Sequence, residues 1–161
     1  MNKKFDLLFL TLFNVGKIKY ASGTVASFIT CIFFLFLNNF LSLTIIFFIS
    51  LVIFFYSLIA INNSTDSFDS KDPQEIVVDE FVGQILVLLA IPIYETLYPA
   101  HILYYCILAF SFFRFFDILK PFPINYIDNN TTGAFGIMFD DIVAAIFSIV
   151  VLIIIFFFLG G

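Results

Sequence analysis

Between Phe40 and Ile61 the chain runs for 22 residues without a charged side chain, and between Ile142 and Leu159 it does so for 18. A spanning helix needs about 20 residues of this kind, with roughly 17 as the lower limit. In lipid, a helix satisfies every backbone N–H and C=O within one segment. Such runs demand either a bilayer or a very large core, and 161 residues cannot supply the core. The chain is 62% hydrophobic and 12% charged, whereas soluble domains carry roughly 45–50% apolar and about 25% charged residues. The same figures exclude disordered, collagen-like and secreted disulfide-rich classes.

Polar punctuation marks off three further apolar segments, Ser22 to Leu37, Ile76 to Ile93 and Ala100 to Phe116. The expected architecture is an all-α polytopic membrane bundle of about five transmembrane helices, forming one integral-membrane domain over residues 1–161. Ser22 to Leu37, ended by Asn38-Asn39, is short and fits either a crossing or a re-entrant half-hairpin. Lys3 and Lys4 precede the apolar stretch Phe5 to Phe13, which lacks a small-residue cleavage site and reads as an interfacial helix of the mature chain. Cys31 and Cys106 each lie inside an apolar run and read as small buried hydrophobes.

Charge placement favours five crossings. All seven Lys and Arg residues then fall on one side, Lys3, Lys4, Lys17, Lys19, Lys71, Arg114 and Lys120, while the opposite connections carry none. By the positive-inside rule that side is the cytoplasm. A formal net charge of −5 leaves no basic footprint for nucleic acid.

The same parity brings four polar clusters to one face. Ser22-Gly23-Thr24-Val25-Ala26-Ser27 opens a helix, where a hydroxyl can cap the first turn or free N–H groups can bind phosphate. In Asp72 to Glu80, Asp72 as N-cap, Pro73 at the first helical position and Glu75 in the first turn give a helix start. Asp79 and Glu80 would then lie nearly two turns into an apolar segment, where an ionised carboxylate is expensive without a partner. Glu75, Asp79 and Gly83 recur every four residues, which predicts carboxylates beside a small residue that leaves room for an ion or substrate. Arg114, Asp117 and Lys120 recur every three residues before Pro121 and Pro123, as a self-paired interfacial stripe or as a grip for phosphate oxygens. Asp140 and Asp141 lead into the last apolar run, where first-turn acids complement the helix dipole and adjacent carboxylates beside hydrocarbon call for a cation.

Together Asp72, Asp79, Glu80, Asp117, Asp140 and Asp141 would crowd six carboxylates onto one interfacial face. Hard divalent cations make that tolerable, and an oxygen-only ligand set points to Mg²⁺ or Mn²⁺ over zinc. Carboxylate-held Mg²⁺ beside Arg, Lys and a helix start is equipment for phosphate-ester chemistry, by a metal-activated water or an Asp nucleophile. The single histidine, His101, falls on the opposite face, which removes a phosphohistidine route. Cys106 stands eight residues before Arg114 in a Phe- and Tyr-rich run, unlike a cysteine-phosphatase loop, and no Asp-x-Asp pair occurs. Intramembrane carboxylates also mark ion pathways, so a small cation transporter or channel subunit is the rival function.

Four blocks carry a resemblance: Ser22 to Ser27, Asp72 to Gly83 with its Ile-Val-x-Asp-Glu-Phe core, Phe113 to Ile124, and Gly136 to Ala144. In order and spacing the sequence resembles the phosphatidylglycerophosphatase A family of bacterial inner-membrane lipid phosphatases. Ser22 and Ala26 stand where that family usually has Pro and Gly. The resemblance implies Mg²⁺-dependent hydrolysis of phosphatidylglycerophosphate, a phospholipid in the bilayer, to phosphatidylglycerol and inorganic phosphate at a site facing the cytoplasm. Carried over by residue, it implies catalytic roles for Asp79, Glu80, Asp117, Asp140 and Asp141 and metal ligation by Asp72, Asp79, Glu80, Asp140 and Asp141. Gly23, Thr24, Ser27, Arg114 and Lys120 would bind the substrate phosphate.

Overall fold

The computed structural model describes residues 3–64 and 74–161, and among them every regular element is helical. In chain order these are α1 (Lys3–Leu10), a 3₁₀ turn (Val15–Lys17), α2 (Ser22–Leu37), α3 (Leu43–Ser64), α4 (Val78–Leu89), α5 (Ile91–Leu97), α6 (Ile102–Leu119), α7 (Ile124–Asn130) and α8 (Ala134–Gly160). Among the described residues four stretches are long and apolar enough to cross a membrane: α3, α4 with α5, α6 and α8. The break between α4 and α5 falls at Ala90, where Pro92 cannot supply the N–H that a continuous ladder needs. α2 is one unbroken helix of 16 residues that does not turn back, so the half-hairpin alternative is not what these residues form. At about 1.5 Å per residue it is some 24 Å long, shorter than a typical hydrocarbon core of about 30 Å. Asn39 ends it by donating its side-chain amide to the Leu35 carbonyl at 2.7 Å.

α8 is the central element and packs against α3, α4, α5, α6 and α7. Its buried residues Ile137, Asp141, Ala144, Ser148, Leu152 and Phe156 recur at three- and four-residue spacing, one stripe along a helix. Outward faces instead carry exposed Phe36, Phe48, Val52, Phe55, Ile107, Phe157 and Phe158. Such a belt suits lipid, which solvates apolar side chains as well as a protein core does. Cys31 and Cys106 are buried free thiols, as expected.

Close approach of the helices is set by Gly83. A Cβ there would lie 2.7 Å from the Phe113 ring and 3.1 Å from the Asp141 carbonyl, so α4, α6 and α8 meet where the side chain is missing. Gly83 therefore does not leave room for an ion or substrate; the Phe113 ring fills the space. α1 packs against α3 through Asp6, whose carboxylate accepts a hydrogen bond from the Tyr56 hydroxyl at 2.7 Å. The Val77 N–H donates to the Leu10 carbonyl at 3.0 Å and so ties the residues entering α4 to the end of α1.

Two helix starts differ from expectation. α4 begins at Val78, with Gln74 and Glu75 in a turn before it, so Glu75 does not share a helical face with Asp79 and Gly83. Asp79 and Glu80 occupy the first turn of α4, where their charge meets unpaired N–H groups. α8 begins at Ala134, eight residues before the apolar run from Ile142, which puts Asp140 and Asp141 nearly two turns inside the helix. The expensive acids are therefore the second pair. Asp72 and Pro73 lie outside the described residues.

Candidate active site

The N-terminal ends of α2 and α4, the C-terminal end of α6 and the first third of α8 surround a cavity of about 500 Å³. Asp79, Glu80, Asp117, Asp140 and Asp141 line it, together with Arg114, Lys120, Lys17 and Lys19. Acids from α4 and α8, 61 residues apart in sequence from Glu80 to Asp141, thus share one space.

Three carboxylates converge most closely. Asp79, Glu80 and Asp141 each bring one oxygen to within 4.8 Å of the others. Glu80 Oε2 and Asp141 Oδ2 are buried with no hydrogen-bond partner. Buried, unpaired carboxylate oxygens facing one another repel unless a cation lies among them. Oxygen-only donors at this separation fit a hard divalent ion such as Mg²⁺.

Asp140 has a different partner. Its Oδ2 accepts a hydrogen bond from Lys120 Nζ at 2.6 Å, and the same ammonium donates to Asp128 Oδ1 at 2.8 Å. Burial works to lower the Lys120 pKa, but the two carboxylates outweigh it and hold the ammonium above its ordinary range. Asp140 Oδ1 accepts from the Asp141 backbone N–H at 3.0 Å, which fixes its orientation. Asp117, also expected among the catalytic acids, pairs with Arg114 three residues earlier, and Arg114 Nη1 lies 3.8 Å from Glu80 Oε1. The stripe is therefore self-paired only between Arg114 and Asp117, while Lys120 pairs with Asp128 and Asp140, and all three stripe residues line the cavity.

The α2 cluster contributes less than expected. Ser27 is buried and donates to its own helix at the Gly23 carbonyl, 2.9 Å away, and neither it nor Thr24 lines the cavity. The N-cap of α2 is Ala21, with no side-chain cap, while the Ser22 hydroxyl donates to the Gln74 carbonyl at 3.0 Å. Gly23 does line the cavity, and its role is steric: a Cβ would collide with Glu80 Oε1 and lie 3.1 Å from Arg114 Nη1. His101 caps the far end of α6, 13 residues before Arg114 and so about 20 Å away.

Sequence reasoning missed Asp128, Lys17 and Lys19 as site residues. Asp128 follows Lys120 by eight residues across two prolines, and no helical periodicity links them. Lys17 and Lys19 were legible only as topology charges; their nearness to the Ser22 cluster was the available signal.

A model of the family described as phosphatidylglycerophosphatase A matches residues 8–156. A Haemophilus influenzae protein named "Phosphatidylglycerophosphatase A" is 37% identical over 137 residues, covering 85% of this chain and 80% of that protein. A Bacteroides thetaiotaomicron protein named "Putative phosphatidylinositol-3-phosphatase" is 33% identical over 141 residues, 86% of this chain and 85% of its own length. The Escherichia coli K12 protein named "Phosphatidylglycerophosphatase A" is 40% identical over 77 residues, covering 48% of this chain and 41% of its own. No solved structure matches.

Proposed function

The chain belongs to the phosphatidylglycerophosphatase A family, is a membrane-embedded lipid phosphatase on that ground, and, we propose, hydrolyses phosphatidylglycerophosphate to phosphatidylglycerol and inorganic phosphate with Mg²⁺. The observation that carries this reading is the convergence of Asp79, Glu80 and Asp141 in one cavity with Arg114 and Lys120. Mg²⁺ held by those three carboxylates would neutralise phosphoryl oxygens and lower the pKa of a bound water.

The remaining steps belong to the chain's own groups. Arg114 and Lys120 present cations to the monoester oxygens, and the burial around them strengthens each charge-assisted hydrogen bond. Asp117 and Asp140 hold those cations in place before substrate arrives, so little reorganisation is needed on binding. The cavity sits at the bundle end where Arg114, Lys120, Lys17 and Lys19 gather, and the positive-inside rule makes that end cytoplasmic, in a bacterial inner membrane. A lipid headgroup can enter there while its acyl chains stay in the bilayer.

The transporter alternative has one polar group to rest on among the described residues past Glu80 in α4, the Gln84 amide, which is buried with neither atom hydrogen-bonded; the rest of the interior is against it. Below the cavity it is filled by Phe34, Leu88, Tyr94, Tyr105, Phe113 and Phe156. The buried hydroxyls of Ser27, Thr30, Ser57 and Ser148 are spent on carbonyls of their own helices.

The test is release of inorganic phosphate from phosphatidylglycerophosphate by purified protein in detergent micelles, with Mg²⁺ and after chelation. Turnover that disappears on chelation and returns with Mg²⁺ is expected. No turnover by folded, Mg²⁺-supplied protein would refute the proposal.

A further inference from the structure

Among the described residues four cations line the cavity, and they divide into two kinds. Arg114 and Lys120 are tied to Asp117 and to Asp128 and Asp140. Among the described residues Lys17 and Lys19 have no carboxylate partner; Lys19 lies 5.4 Å from the centre of the Tyr20 ring. Lys17 ends the 3₁₀ turn and Lys19 stands on the segment between it and α2, both at the cavity rim.

That segment is a built feature. The Gly16 N–H donates to the Thr11 carbonyl at 2.9 Å, and a Cβ on Gly16 would collide with the Glu75 carbonyl, so the chain lies directly on the turn before α4. The Ser22 to Gln74 hydrogen bond closes its other end. Its side chains alternate, Lys17, Ile18, Lys19, Tyr20, and the two between and beside the lysines are exposed, Ile18 by 44% and Tyr20 by 74%. Exposed aliphatic and tyrosine side chains interleaved with lysines suit the boundary between acyl chains and headgroups, with cations reaching phosphate while apolar groups enter the lipid.

We propose that Lys17 and Lys19 form a subsite for the phosphodiester of the substrate, separate from the place where the terminal phosphomonoester reacts. The inference rests on the lipid phosphatase function proposed above and adds to it two residues that contact the substrate away from the reacting phosphate. The monoester lies among Arg114, Lys120 and the converging carboxylates, and the diester, nearer the acyl chains, meets the rim lysines.

The discriminating experiment uses wild-type protein, the double variant Lys17→Gln/Lys19→Gln and the charge-keeping Lys17→Arg/Lys19→Arg. KM for phosphatidylglycerophosphate is measured beside the inhibition constant of inorganic phosphate, which has no diester. The expected result is a rise of about tenfold in KM for the Gln variant, an inhibition constant that stays within about twofold, and recovery in the Arg variant. A KM and an inhibition constant that rise together would put the lysines on the reacting phosphate and overturn the subsite. So would no change in either, with wild-type turnover intact. Absence of lipid turnover by the wild type would overturn the function proposed above and this subsite with it. Thermal unfolding in detergent shows whether the variants are folded.

Discussion

Lys120 Nζ lies 2.6 Å from Asp140 Oδ2, a bond that joins the end of α6 to the second turn of α8 and gives Asp140 a cation that it shares with Asp128. Neighbouring acids in one helix thereby separate in their contacts: Asp141 lies with Asp79 and Glu80, and Asp140 pairs with the lysine.

Asp140→Asn is expected to weaken substrate capture more than metal dependence. Losing one charged partner of a mostly buried pair costs about 1.5–3 kcal/mol, so kcat/KM falls about 10- to 100-fold. The concentration of Mg²⁺ giving half-maximal rate stays close to wild type. Asp128→Asn, at the more exposed end of the same lysine, lowers kcat/KM by less than about tenfold. A large loss of Mg²⁺ affinity in Asp140→Asn, read from a Mg²⁺ titration of the rate, would contradict this division.

Gly83→Ala and Gly23→Ala test two kinds of close approach. At Gly83 the new methyl meets a ring and a backbone carbonyl between packed helices, and overpacking of this kind costs about 1–3 kcal/mol of stability. Unfolding temperature in detergent falls. At Gly23 the methyl meets the flexible end of Glu80, which swings aside. There the rate falls while the unfolding temperature stays near wild type. An unchanged rate in folded Gly23→Ala would remove Glu80 from the working geometry.

The raised Lys120 pKa has a direction that can be checked against pH. A group whose folded pKa exceeds its unfolded value of 10.5 contributes stability that is fully present below that value and lost only as pH rises through the folded pKa. Lys120 therefore stays charged throughout the neutral range. Lys120→Gln is expected to lower turnover by the same factor at every pH from about 6 to about 9, far below any lysine titration there. A factor that changes across that range would show that Lys120, or a carboxylate it holds, titrates within it.

The membrane class, the helical bundle and most of the site were legible because apolar runs and polar clusters are local patterns. Helix starts were less so. Asp72-Pro73-Gln74-Glu75 has the composition of a helix N-terminus, yet Glu75 sits in a turn and α4 starts at Val78, where Leu10 pairs with Val77. Conversely, Gly133 and Gly136 give the stretch before Asp140 the composition of a loop, so the early start of α8 and the depth of Asp140 and Asp141 were hidden. The partners of Lys120 and the position of Lys17 and Lys19 depend on how separate chain segments meet, which no single window of sequence contains.

The central claim is that acids from α4 and α8 work as one site. Phosphate release from phosphatidylglycerophosphate at saturating Mg²⁺ by wild type, Asp79→Asn and Asp141→Asn tests it most directly. Each folded variant is predicted to lose about a hundredfold or more in kcat, the scale on which removal of one electrostatic transition-state contact acts. Full turnover by either folded variant would contradict a shared site.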